Sequence, residues 1–150
     1  MSTYISADLR RIIHKCAEAC CEYCLIPESI TLAPHEIDHI IAQKHQGKTE
    51  PDNLALSCNI CNKHKGSDIA SINHDTGNII ALYHPRRDIW TEHFKIEDAQ
   101  ILPLTPTGEV TVRLLQFNSM NRVQERTLLI ETGLIKLPKQ KRVKEKMYPI

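Results

Sequence analysis

Long apolar runs are missing from this 150-residue chain; the longest, such as Ile79-Ile80-Ala81-Leu82, fall far short of the roughly 20 residues a membrane helix needs. A membrane-spanning role is therefore excluded. The first residues carry no basic stretch followed by an apolar one, so no secretion signal is read and a cytoplasmic location is expected. Aromatic side chains make up only 5% of the sequence, too few for a large aromatic core, so a chain this small needs another source of stability. Net charge is nearly absent too, at +1, and carries no message about partners. Its distribution does, because residues 136–150 hold six Lys/Arg against one Asp/Glu. Such a basic tail attracts polyanions, with a solvated solubility tail as the equally weighted alternative.

Cysteine, by contrast, is concentrated. Cys16, Cys20, Cys21 and Cys24 form one group and Cys58 and Cys61 a second. Cys21/Cys24 and Cys58/Cys61 are Cys-x2-Cys pairs, and without a secretion signal a reducing compartment argues against disulfides. Two such knuckles let four thiolates close a tetrahedron around one structural Zn²⁺ and tie the ends of the intervening segment together. Cys16 and Cys20 read as packing or spectator thiols, with Cys20 left open as a competitor of Cys21.

Local pattern places elements around the knuckles. Ser6 or Asp8 can cap a helix whose Leu9, Ile12, Ile13 and Cys16 share a face. Residues 35–41 read as a strand after Pro34, residues 44–53 as a long turn-rich loop, and residues 54–57 as the returning strand. Asn59 is placed to cap a helix from Ile60 that stops near Gly66. Residues 69–72 and 79–83 read as a second hairpin, and residues 88–94 as a short helix or strand around Trp90. Residues 103–108, rich in Pro, Thr and Gly, read as a connector and internal boundary. Helices are expected at 110–117 and, capped by Ser119, at 121–131. The division that follows is 1–95 for a zinc-stapled domain, 96–135 for an extension packed on it, and 136–150 for the basic tail.

Between and beside the knuckles lie Asp38-His39, Asn53 and Asn62. A carboxylate and an amide oxygen are hard ligands suited to Mg²⁺ or Mn²⁺, whereas the thiolates suit Zn²⁺. Imidazole, with an ordinary pKa near 6.5, can take a proton from water at neutral pH once its ring is held. At these residues the chain resembles the zinc-knuckle members of the HNH endonuclease family. The residues that carry the likeness are Cys21 and Cys24, Asp38-His39, Asn53-Leu54, Cys58 to Asn62, and Lys65-Gly66. It covers about residues 9–68; Pro85-Arg86-Arg87, Trp90 and His93-Phe94 also resemble an extension found in some bacterial, notably cyanobacterial, members.

The resemblance implies an α+β fold: a ββα-metal core stapled by zinc, with an additional hairpin and a helical C-terminal extension. It implies metal-dependent cleavage of DNA phosphodiesters to 5′-phosphate and 3′-hydroxyl ends. His39 would be the general base, Asp38 and Asn62 the ligands of a single catalytic Mg²⁺ or Mn²⁺, and Asn53 the residue that holds the loop and orients His39. Many members carry histidine at the position of Asn62, and the weaker amide donor shifts the expected preference toward Mg²⁺ or Mn²⁺. Strict strand alternation points Asp38 and His39 to opposite faces, so a bulge or a strand end is expected there. Lys63 and Lys65 are expected to contact phosphate, with Arg86 and Arg87 in a second rank. A homodimer is compatible with a half-site reader, though no heptad marks an interface. The alternative reading is a zinc-stabilised nucleic-acid-binding module without cleavage.

Overall fold

The structure, a computed structural model, describes residues 4–137. Most of the basic tail lies outside the described residues. Helix α1 (Ala7–Ala17) begins at Ser6, whose side chain accepts a hydrogen bond from Leu9 N. Its fully buried Ile13 packs on Leu54 and Leu56, with Leu9 and Ile37 at the edge of the same cluster. This contact fixes α1 across the back of the central hairpin.

That hairpin consists of β1 (Glu36–His39) and β2 (Leu54–Ser57), paired antiparallel with Ile37 opposite Leu56 and His39 opposite Leu54. The register runs without a bulge, and β1 stops at His39, shorter than the 35–41 stretch expected. Helix α2 (Asn59–Lys65) follows directly, completing the strand, loop, strand, helix order. Its cap is Cys58, whose Sγ accepts from Cys61 N, rather than Asn59, which is already the first helical residue. A sulfur shared between a metal knuckle and a helix start displaces the ordinary Asn cap.

Strands β3 (Ala70–Ile72) and β4 (Ile79–Ala81) form the additional hairpin. Helix α3 (Trp90–His93) then leads into a third hairpin, β5 (Phe94–Glu97) and β6 (Gln100–Pro103), for which the sequence reading had no counterpart. Its turn residues Asp98 and Ala99 have φ of 52° and 64°, a conformation sequences usually signal with Asn-Gly or Asp-Gly. Ala99 is buried, so packing holds it where its propensity does not.

The expected connector at 103–108 is divided between the end of β6 at Pro103 and the first turn of a helix from Pro106. Helix α4 (Pro106–Leu114) is capped by Thr105 and has proline at its start, where the missing N–H costs nothing. Gly108 is required by crowding: a Cβ there would lie 2.3 Å from the carbonyl oxygen of His93. Helix α5 (Met120–Glu131) starts after Ser119, whose side chain makes no capping bond. Tyr23, Tyr83, Trp90, Phe94, Ile101, Leu115 and Phe117 share one core with the cysteines of the knuckles. Thus five of the seven aromatics are pooled in one place, Phe94 sitting 5.0 Å from Trp90 and 5.6 Å from Phe117 between ring centroids. The division drawn at residue 95 falls inside β5, and the elements after it pack into this common core.

Candidate active site and metal centre

The two knuckles meet. Cys21, Cys24, Cys58 and Cys61 are buried, and their sulfurs lie within 4.8 Å of one another. Cys24 and Cys58 Sγ are 3.7 Å apart, close to the ~3.8 Å edge of a tetrahedron with Zn–S bonds of ~2.3 Å. Backbone N–H groups of Cys24 and Cys61 point at Cys21 and Cys58 Sγ, at 3.5 and 3.4 Å, as tight Cys-x2-Cys turns require. Burial pushes the Cys21 and Cys61 thiols well up, while hydrogen bonds from Cys21, Cys58 and Cys61 pull Cys24 well down. Four buried thiolates cannot coexist without a cation, so the donor set and its spacing fit zinc. Cys16 and Cys20 stay outside the cluster and half-buried; Cys20 Sγ turns to the Glu18 carbonyl at 3.5 Å.

Asp38, His39 and Asn62 reach one shallow concavity, lined also by Gln43, Gly66 and Ser67. The strand ends at His39, which is how neighbouring side chains of opposite alternation both approach it. Asp38 is buried; its Oδ2 accepts from Tyr23 Oη at 2.8 Å and lies 3.2 Å from Lys65 Nζ in an ion pair. Burial raises the Asp38 pKa, against the lowering effects of Lys65 and of the Tyr23 hydrogen bond. The other oxygen, Oδ1, accepts from Lys65 Nζ at 3.5 Å, and with two lone pairs on each oxygen the carboxylate retains acceptor capacity for a cation.

His39 Nε2 lies 2.8 Å from Thr49 Oγ1. Burial lowers the His39 pKa, with Asp38 acting in the opposite sense and Lys65 adding to the depression. The ring is thereby neutral over more of the physiological range than free imidazole.

Asn53 is buried and ties the loop rather than the ring. Its Oδ1 accepts from Ile41 N at 2.8 Å, and its Nδ2 donates to the carbonyls of Ile41 and Lys48, each at 2.9 Å. Ile40 N adds a bond to the Asn53 carbonyl at 2.8 Å. Gly47 completes the closure, since a Cβ there would sit 1.7 Å from Ile41 O and 2.8 Å from Asn53 Nδ2. The Asn53 side chain bonds loop backbone and makes none of these bonds to His39. The side chain on the imidazole is Thr49, carried by the loop Asn53 closes.

Asn62 Nδ2 donates to Glu36 Oε2 at 2.8 Å. A carboxylate only accepts, so the amide nitrogen faces Glu36 and the amide oxygen points elsewhere, available to a cation. Glu36, two residues before Asp38 on the same strand face, is the site carboxylate the sequence reading overlooked; period-2 alternation was the signal for it.

Two of the residues expected to contact phosphate are turned inward. Lys65 is 2% exposed, and besides Asp38 its Nζ donates to the carbonyls of Ile40 at 3.0 Å and His39 at 3.4 Å. Arg86 is also buried: it makes a bidentate pair with Glu22, and its Nε donates to the Pro51 carbonyl at 3.2 Å. Glu22 in turn accepts from Leu56 N at 2.8 Å, so this pair clamps the first knuckle to β2. Both cations are committed inward because buried carboxylates demand partners. Lys63 and Arg87 remain on the surface.

No helix among the described residues is long and apolar enough to cross a membrane. Neither a curated protein nor a solved structure matches the chain. Residues 21–68 match the family model described as HNH endonuclease. Bounded by the knuckles and built as two strands and a helix, this segment is an HNH endonuclease domain with a four-cysteine cluster consistent with structural zinc.

Proposed function

We propose that the protein is a metal-dependent endonuclease that hydrolyses DNA phosphodiester bonds. The observation that carries the reading is the convergence of Asp38, His39 and Asn62 on one concavity beside a four-cysteine cluster. His39 Nε2 and Thr49 Oγ1 are 2.8 Å apart, and in the tautomer whose Nε2 proton goes to Thr49 the Nδ1 lone pair is left to take a proton from water. Asp38 and Asn62, through a carboxylate oxygen and an amide oxygen, would hold a single Mg²⁺ or Mn²⁺. When bound, such an ion stabilises charge on the phosphate and on the leaving 3′-oxygen.

Lys65 pairs with Asp38, and Glu36 holds the Asn62 amide beside it. Lys65 favours the ionised form of the buried Asp38, against the effect of burial. Water attack on phosphorus breaks the P–O3′ bond and leaves a 5′-phosphate and a 3′-hydroxyl. Lys63 and Arg87 on the surface, and the basic residues 136–150, supply attraction for the DNA backbone.

Nicking of supercoiled plasmid by wild-type and His39→Ala protein, with Mg²⁺, Mn²⁺ or EDTA, tests the reading. Zinc content is measured on both preparations. Cleavage that requires the divalent ion and falls by roughly 10²–10⁴-fold in folded, zinc-loaded His39→Ala protein is the expected result. Zinc-loaded wild-type protein that binds plasmid, branched and single-stranded DNA but cuts none of them is a binding module instead.

A further inference from the structure

The zinc-knuckle cluster is not completed by the segment that supplies its cysteines. Arg122, on α5 and 61 residues after Cys61, is buried with its guanidinium against the sulfurs. Nη2 donates to Cys61 Sγ at 3.1 Å and approaches Cys58 Sγ at 3.8 Å. Nη1 donates to the carbonyls of Leu115 and Gln116, at 2.8 and 3.1 Å, which end α4. The guanidinium carbon lies over the Phe117 ring, 5.8 Å from its centroid.

Four thiolates and one Zn²⁺ sum to a charge of about −2, which a buried site must offset. We infer that Arg122 is a functional part of the zinc site: its charge-assisted hydrogen bonds to Cys58 and Cys61 retain the ion, so zinc retention depends on α5. The inference stands on the cluster alone and is independent of whether the domain cleaves DNA.

Arg122 does not act as a generic buried arginine. Arg126, one turn further along α5, is equally buried, yet it bonds only oxygens: the carbonyls of Ala99 and Phe117, each at 2.8 Å, and Asn118 Oδ1 at 3.4 Å. Loss of either arginine removes buried hydrogen bonds that anchor the α4–α5 corner. Only loss of Arg122 removes donors from sulfur. Both sulfurs it reaches belong to the second knuckle, so the effect on the ligands is asymmetric across the cluster.

The comparison of Arg122→Met with Arg126→Met in the full chain tests this. Zinc transfer from each folded, zinc-loaded protein to a chromogenic chelator is timed, and the thiolate-to-metal charge-transfer band is recorded after Co²⁺ replacement. Arg122→Met is expected to release zinc on the order of 10–100-fold faster, the usual consequence of losing a hydrogen-bond partner of a metal ligand. It is also expected to move the Co²⁺ band to lower energy, while Arg126→Met leaves the band in place and releases zinc near the wild-type rate. If Arg122→Met does not fold, Arg122→Gln, which keeps a donor without the charge, takes its place with the same expectations. Equal acceleration in the Arg122 and Arg126 variants, or an unmoved Co²⁺ band in the Arg122 variant, overturns the inference and reduces Arg122 to an anchor of the α4–α5 corner.

Discussion

Lys65→Met removes the cation that pairs with Asp38 in its buried site. In the wild type, Lys65 Nζ and Asp38 Oδ2 are 3.2 Å apart, with both residues almost fully buried. Removing one partner of such a pair costs about 3–5 kcal/mol, because the remaining charge is left in a poor solvent. Tyr23 Oη still donates to Asp38 at 2.8 Å, which places the expected loss near the lower end, about 3 kcal/mol. For a domain of this size that is a fall in Tm of about 10 °C. The pH dependence distinguishes this cause from simple loss of packing. Burial already raises the Asp38 pKa, and Lys65 is the foremost influence holding it down. Without Lys65 the folded-state pKa rises further above the unfolded value, so the folded variant takes up a proton that the unfolded chain does not. Stability of the variant is then retained at low pH and lost as pH rises through the folded pKa, by up to about 1.4 kcal/mol per pH unit. Urea denaturation of zinc-loaded wild-type and Lys65→Met proteins at pH 5 and pH 8 measures it. The penalty should be larger at pH 8. A loss under about 1 kcal/mol, or one that is equal at both pH values, refutes the reasoning that Lys65 serves to keep Asp38 charged.

Other expectations follow from the same geometry. Cys58→Ser should lose zinc and unfold the domain, as metal analysis and circular dichroism would register, because the residue is at once a cluster member and the cap of α2. Gly47→Ala should destabilise by at least about 2 kcal/mol in urea titration, since its Cβ has no room beside Ile41 O. Thr49→Val should lower cleavage by roughly tenfold while leaving metal dependence intact, and Thr49→Ser should restore most of it. The rate in wild type should rise with pH along an acid limb centred below imidazole's usual ~6.5, because burial lowers the His39 pKa; a limb at or above that value would count against His39 as the base. Removing residues 136–150, with their six Lys/Arg, should weaken DNA binding and flatten its dependence on salt, read by fluorescence anisotropy.

Much of the centre was readable before any coordinates, because its determinants are local or strictly spaced. Two Cys-x2-Cys pairs define a metal knuckle whatever surrounds them, and the assembled cluster contains the four cysteines expected. The strand, loop, strand, helix order around Asp38 and His39 follows from turn-rich residues set between short apolar runs. Strand β1 ends at His39 without a bulge, one of the two local features expected there. Errors arose where tertiary contacts overrode local preference. Pro, Thr and Gly at 103–108 spell a loop in isolation, but proline suits a first helical turn and Gly108 answers to the His93 carbonyl. The β5–β6 turn uses Asp98-Ala99 at positive φ because packing of Ala99 outweighs its propensity.

Charge was the least readable property. A sequence shows that Lys65 and Arg86 are cations but not that Asp38 and Glu22 will be buried, and only burial turns them inward to become clamps. Thr49 meets His39 through a loop whose closure by Asn53 and Gly47 has no regular period. Arg122 reaches sulfurs 61 residues away, a distance over which no spacing rule operates. The sequence by itself determined the chemical inventory and its local order: four thiolates for zinc, and an Asp-His pair with two asparagines in a ββα frame. The tertiary structure alone decided which charges face the solvent and which face one another, because that choice is made by desolvation, and desolvation exists only once the chain has closed around its core.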